Sequence, residues 1–155
     1  MMRKLIVPIL VVVLVGFFVL RWVVQKVSPV PQSLGVENGR FSPCPSSPNC
    51  VSTFASDEPH HIDPLTFSVS LPEAKVRMYN VITAMPRVHV ISNTPNYIHA
   101  EYRSALWRFV DDVEFYFDEE NGLIQMKSAS RLGYADGGVN RARMKKIAAQ
   151  FENGG

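Results

Sequence analysis

Cysteine is scarce in this sequence, with two in 155 residues, Cys44 and Cys50, and the five residues between them are not the two that a redox pair usually encloses. No cysteine closely follows the N-terminal apolar run, so a lipoprotein anchor has no point of attachment. No small-x-small cleavage site follows it either, which favours a retained anchor over a cleaved secretory signal. Beyond that run no stripe of basic residues tracks the chain, which argues against a nucleic-acid partner. There is no internal repeat, and no serine sits in a nucleophile-elbow pattern.

What is present begins with LIVPILVVVLVGFFVL from Leu5 to Leu20, then Arg21, Trp22, Val23 and Val24. Residues 5–24 as a helix rise about 1.5 Å each and reach roughly 30 Å, the thickness of a bilayer's hydrocarbon core. Arg21 is the single charge, near enough to the end to snorkel to the headgroups. Basic residues flank both ends, and the short basic N-terminus sets the expected orientation, inside, with everything after the helix outside. The expectation is a single-pass protein of the cell membrane whose C-terminal part lies outside the cytoplasm, in the periplasm if the cell is Gram-negative. Four of the 16 basic residues belong to the anchor and its flanks, whereas all 14 acidic residues lie beyond it. The exported part is therefore net negative despite the overall charge of +2. Residues 1–27 read as anchor or signal, 28–40 (SPVPQSLGVENGR) as a linker rich in proline, glycine and polar residues, and 41–155 as one domain with its own core.

Within the domain, residues 70–87 (SLPEAKVRMYNVITAMPR) predict a helix with a Ser70/Glu73 capping box, an apolar stripe of Ala74, Met78, Val81, Ile82 and Met85, and a stop at Pro86. Strands are expected at 88–92, 97–104, 112–118 and 123–130, joined by hairpin loops at 93–96 and 119–122. Alternation of Val113, Phe115 and Phe117 with Asp112, Glu114, Tyr116 and Asp118 implies one buried and one wet face. After the bend at 133–138, VNRARMKKIAAQF predicts a second helix with Met144, Ile147, Ala148 and Phe151 on one face. The expected fold class is α+β: an antiparallel sheet of about four strands, two helices on one face, and the other face open to water or a partner.

CPSSPNCVST (44–53), HIDPL (61–65), HAEYRSALWRFVDDVEFYFD (99–118) and SASRLGYADGGVNR (128–141) together resemble the domain of unknown function 1499 family of bacteria and chloroplasts. The resemblance covers nearly the whole exported part. It implies a domain and no settled activity.

Outside the cytoplasm two cysteines are expected to pair, and a bent segment can bring Cys44 to Cys50. A zinc site is the next alternative, with His60 and His61 as the nearest further ligands, although adjacent residues in an extended chain point apart. The denser constellation is Glu101, Arg103, Arg108, Asp111, Asp112, Glu114, Arg131, Asp136, Asn140, Arg141 and Arg143. It reads either as a salt-bridge network locking sheet to C-terminal helix, or as a polar groove in which arginines hold a carboxylate or phosphate. Glu101, Arg103, Asp111, Asp112, Arg131, Asp136, Asn140 and Arg141 are the binding candidates. The consecutive Asp111 and Asp112 diverge in a strand and do not form an acid and base pair across one bond. No catalytic residue, metal or cofactor is assigned. The expected function is a non-catalytic binding or envelope-accessory module, engaging a small anionic ligand or a protein. The alternative is an envelope hydrolase built from Ser128 or Ser130, His99 and an aspartate.

Overall fold

The computed structural model describes residues 2–154. Helix α1 (Met2–Lys26) contains the apolar stretch Ile6–Lys26, long and apolar enough to cross a membrane. The chain then forms a two-stranded hairpin, β1 (Val36–Glu37) and β2 (Arg40–Phe41), followed by β3 (Cys50–Ser52) and β4 (Leu65–Thr66). Helix α2 (Leu71–Thr83) leads into the four long strands β5 (Val88–Thr94), β6 (Tyr97–Arg103), β7 (Val110–Asp118) and β8 (Leu123–Ser130), and α3 (Val139–Glu152) ends the fold.

The four expected strands are β5 to β8, antiparallel neighbours in that order, and the class is α+β. The sheet is larger than expected, because β3 and β4 both pair with the outer edge of β8 to make six strands. Strands of two or three residues have no period to read, and only their pairing reveals them. At the 119–122 turn Gly122 has φ +64°, and its carbonyl accepts from Phe67 N at 2.9 Å. A Cβ there would meet Phe67 O at 3.1 Å, so the turn that brings β4's exit against the β7–β8 hairpin is built for glycine.

Helix α2 begins where expected, yet the Ser70 side chain makes no capping bond. Its carbonyl accepts from Ala74 N at 2.9 Å, and the proline in the first turn removes one donor that a cap would have to satisfy. The helix ends at Thr83, before Pro86, and Arg87 turns the chain into β5 with φ +61°.

Strand alternation sorts the sheet into two faces. Ile98, Ala100, Tyr102, Val113, Phe115, Phe117, Ile124 and Met126 form a core with Ala74, Met78, Val81 and Ile82 of α2 and Met144, Ile147 and Phe151 of α3. The opposite face is not the open surface that alternation implied. Asp112 and Glu114, expected to be wet, are 3% and 1% exposed. Residues 28–42, of which 28–40 read as a linker, cross this face as a strap carrying the β1–β2 hairpin, with Phe41 buried against the Phe54 ring at 5.6 Å. Just after the strap, Cys44 is joined by a disulfide to Cys50 in β3. The staple therefore pins the strap's end to the sheet.

Candidate functional site

The strap covers a face made by period-two alternation. His99, Glu101 and Arg103 project from β6, Asp112 and Glu114 from β7, and Lys127 from β8. Antiparallel register sets Glu101 opposite Asp112, and Glu114 opposite both His99 and Lys127. Arg131 follows β8, its backbone N held by Val110 O at 3.0 Å, and its side chain reaches back over the face.

Arg131 is the hub. Its Nε and Nη2 donate to the two oxygens of Asp112 at 2.8 and 2.7 Å, the paired geometry that suits a guanidinium to a carboxylate. Nη2 also donates to Glu101 at 2.5 Å, and Nη1 to the Ser28 carbonyl of the strap at 3.2 Å. Glu101 accepts from Arg103 at 2.7 Å, and His99 Nε2 donates to Asp112 at 2.7 Å. Across the face, Glu114 accepts from Tyr97 OH at 2.8 Å and from Gly35 N of the strap at 2.7 Å. Lys127 lies 3.7 Å from Glu114 and donates to Ser42 Oγ of the strap at 2.7 Å. Gly35 takes φ +107°, a conformation that aims its N–H at Glu114 and that a side chain would strain.

Three carboxylates thus face three cations under the strap. Burial pushes the Asp112 and Glu101 carboxyls up, but bonds from Arg131 and His99 at Asp112, and from Arg103 and Arg131 at Glu101, outweigh it and hold both below the usual range. The bond to Asp112 raises Arg131 further, while burial lowers Lys127 and the Glu114 charge partly restores it. Burial, reinforced by the Glu114 charge, raises the Tyr97 phenol and keeps it a donor.

The other candidates are elsewhere. Asp111 points to the helix side of the sheet, where Arg143 Nη2 donates to it at 2.5 Å. Asn140 is fully buried there. It accepts from Ser128 at 2.5 Å and Arg143 at 2.7 Å, and its Nδ2 lies 3.0 Å from both Asn49 O and Ser130 Oγ. Asp136 accepts from the backbone N of Gly138 and Asn140 at 2.9 and 2.7 Å, satisfying free donors where α3 begins. Arg141 binds the carbonyls of His61 and Pro59, each at 2.8 Å, and so holds the 58–61 loop on α3. Among the described residues Arg108 has no hydrogen-bond or ion-pair partner.

The eight candidates therefore do not form one groove. Glu101, Arg103, Asp112 and Arg131 meet under the strap; Asp111 and Asn140 meet on the helix side; Asp136 and Arg141 secure α3. Tyr97 and Lys127 were not among the candidates, although their places in the polar alternation of β6 and β8 could have found them. Ser28, Gly35 and Ser42 carry no comparable signal, since the first two act through the backbone.

The hydrolase arrangement is not assembled. His99 and Ser128 lie on opposite faces, His99 bonded to Asp112 and Ser128 to Asn140 and Arg143. The disulfide takes both sulfurs from any metal site. His60 faces Asp57 through Nδ1 and the Ser47 carbonyl through Nε2 at 3.2 Å, and the Asp57 bond raises it above its ordinary value against the effect of burial.

None of the curated proteins matches the chain. A family model described as a protein of unknown function, DUF1499, matches residues 40–151, from β2 to the last turn of α3. The match takes in the whole sheet, both packed helices, the disulfide and the Arg131 hub, and the chain belongs to this family.

Proposed function

We propose that the chain is a membrane-tethered module of the cell envelope, with its domain outside the cytoplasm, that binds a protein partner and carries out no reaction of its own. The observation that carries this reading is the internal use of the charged side chains. Every guanidinium nitrogen of Arg131 is already on Asp112, Glu101 or the Ser28 carbonyl, so the hub arginine has no donor nitrogen left over for an anionic ligand. The apolar α1 and a disulfide that persists in oxidising compartments support the tether and the location.

The surface offered to a partner is the groove between α2 and the β5–β6 turn, lined by Leu71, Pro72, Val76, Tyr79 and Pro95, with Val76 61% exposed. Lys75 donates to the Thr94 carbonyl across it. β5 beside it is an edge strand of the sheet, so an extended apolar segment of a second protein fits this place, using main-chain bonds for affinity and the groove for selectivity. A photo-crosslinking residue at position 76 of the full chain, irradiated in its own membranes, is expected to give a discrete protein adduct that Tyr79→Asp removes. No adduct, or an anionic small molecule retained in native mass spectrometry and released by Arg131→Ala with the fold intact, overturns the reading.

A further inference from the structure

The two ends of the long strands differ in chemistry. The β7–β8 turn at the end away from Arg131 is Glu119, Glu120, Asn121 and Gly122, the polar composition expected of a turn in water. The β6–β7 turn at the other end, Ser104–Phe109 (SALWRF), carries three large apolar side chains and one cation. Its backbone is closed by Ser104 N on Phe109 O at 2.9 Å and by Phe109 N on Ser104 Oγ at 3.0 Å. Leu106 and Phe109 are left 56% and 41% exposed.

This apolar turn touches α1. Arg21 Nη1 donates to Leu106 O at 3.2 Å, and the Trp107 ring lies 5.5 Å from the Phe17 ring. Arg21, the only charge inside the apolar run, belongs at headgroup level, and Phe17 four residues earlier lies about 6 Å deeper by the helical rise. A side chain of the turn that reaches Phe17 is therefore at the boundary between headgroups and acyl chains. Tryptophan is enriched at that depth, and both tryptophans of the chain, Trp22 and Trp107, belong to this region. Arg108, without a protein partner among the described residues, takes φ +64° within the same turn.

We propose that Ser104–Phe109 is a second membrane contact, in which Leu106, Trp107 and Phe109 enter the headgroup boundary of the bilayer that α1 crosses and Arg108 meets a lipid phosphate. The contact rests on the tethering reading above and adds to it a fixed orientation: a helix alone lets the domain swivel, whereas a helix and a turn together do not.

The test uses the full chain in vesicles of phosphatidylcholine and phosphatidylglycerol. Trp22→Phe leaves Trp107 as the sole tryptophan, and its emission is expected to be blue-shifted, quenched by lipids brominated near the headgroup end of their acyl chains, and protected from aqueous iodide. Quenching by iodide with no response to brominated lipid overturns the proposal. Trp107→Phe leaves Trp22 to report on α1: if brominated lipid quenches Trp22 but not Trp107, the turn contact fails and the tether stands, and if it quenches neither, both fail. Adding Leu106→Asp and Phe109→Asp to the Trp22→Phe chain is expected to open Trp107 to iodide. Unchanged protection would assign the shielding to α1 packing and overturn the lipid contact.

Discussion

Asp111 and Asp112 are neighbours in β7, yet the strand sends them to opposite faces and into two polar networks built on different principles. On the helix side, Asp111 joins one ion pair with Arg143 and an amide hub at Asn140, two residues that α3 delivers together by their i, i+3 spacing. That cluster sits at the border of an apolar core, and a regular helix covers it. On the strap side, Asp112 belongs to a face rich in charged groups, covered by a largely irregular segment with no helical stripe to bury. Arg131 donates to the Ser28 carbonyl, Gly35 N to Glu114 and Lys127 to Ser42 Oγ, and these charge-assisted bonds add to the packing of Phe41. A regular element can be held by its apolar face; an irregular one relies more on hydrogen bonds.

The largest expected effect follows from removing the strap-side hub. Arg131→Ala leaves Asp112 buried without its principal cation and Glu101 with Arg103 alone, and breaking a buried pair in this way costs about 3–5 kcal/mol. Denaturation of the full chain in detergent should show that loss, together with faster amide exchange at Gly35. A loss below about 1 kcal/mol, the range of an exposed pair, would mean that packing holds the strap after all.

The helix-side counterpart is expected to be milder. Asn140→Ala leaves the Ser128 hydroxyl without its acceptor and Ser130 Oγ without its amide donor, while Asn49 O keeps Ser130 N and Ser128 Oγ keeps Arg143, with a cost of about 1–3 kcal/mol for a buried polar group left unpaired. Exchange at Gly35 should not change, because the sheet lies between the two networks. A faster Gly35 amide in this variant would show that the faces are coupled and would remove the distinction drawn between them.

These two networks were unequally legible. The divergence of Asp111 from Asp112 is a direct consequence of strand alternation, and the apolar stripe of α2 and the alternation of β7 place the core correctly. The cysteine pair was readable because two cysteines expected outside the cytoplasm have few alternatives to pairing. Alternation says which residues share a face, but not what covers it. The polar face was read as wet because its cover, residues 28–42, carries the proline, glycine and polar residues of a linker and binds partly through a Gly35 N–H and a Ser28 carbonyl that every such segment possesses. Asp136 and Arg141, candidates alongside Asn140 around the start of α3, instead bind backbone groups.

The smallest effect is on acid stability. Glu101 and Asp112 have folded-state values below their ordinary 4.5 and 3.8. Their contribution is therefore complete above those ordinary values and is lost as the pH falls through the depressed ones, since the unfolded chain then binds the more protons. His60 runs the other way: raised above its ordinary 6.5, it contributes fully below that value and loses the contribution as the pH rises through the folded one. Both are complete between 4.5 and 6.5, and the melting temperature is expected to fall on either side of that window. Glu101→Gln should flatten the acid limb, because it removes one of the two strap-side carboxyls held below their ordinary values, and should also lower the plateau through its weakened bonds to Arg131 and Arg103. Asn140→Ala should lower the whole curve and leave that limb's slope unchanged. An acid limb that Glu101→Gln does not alter would mean that the charges under the strap do not govern acid unfolding, and the strap would then have to be held by its backbone bonds and the Cys44–Cys50 staple.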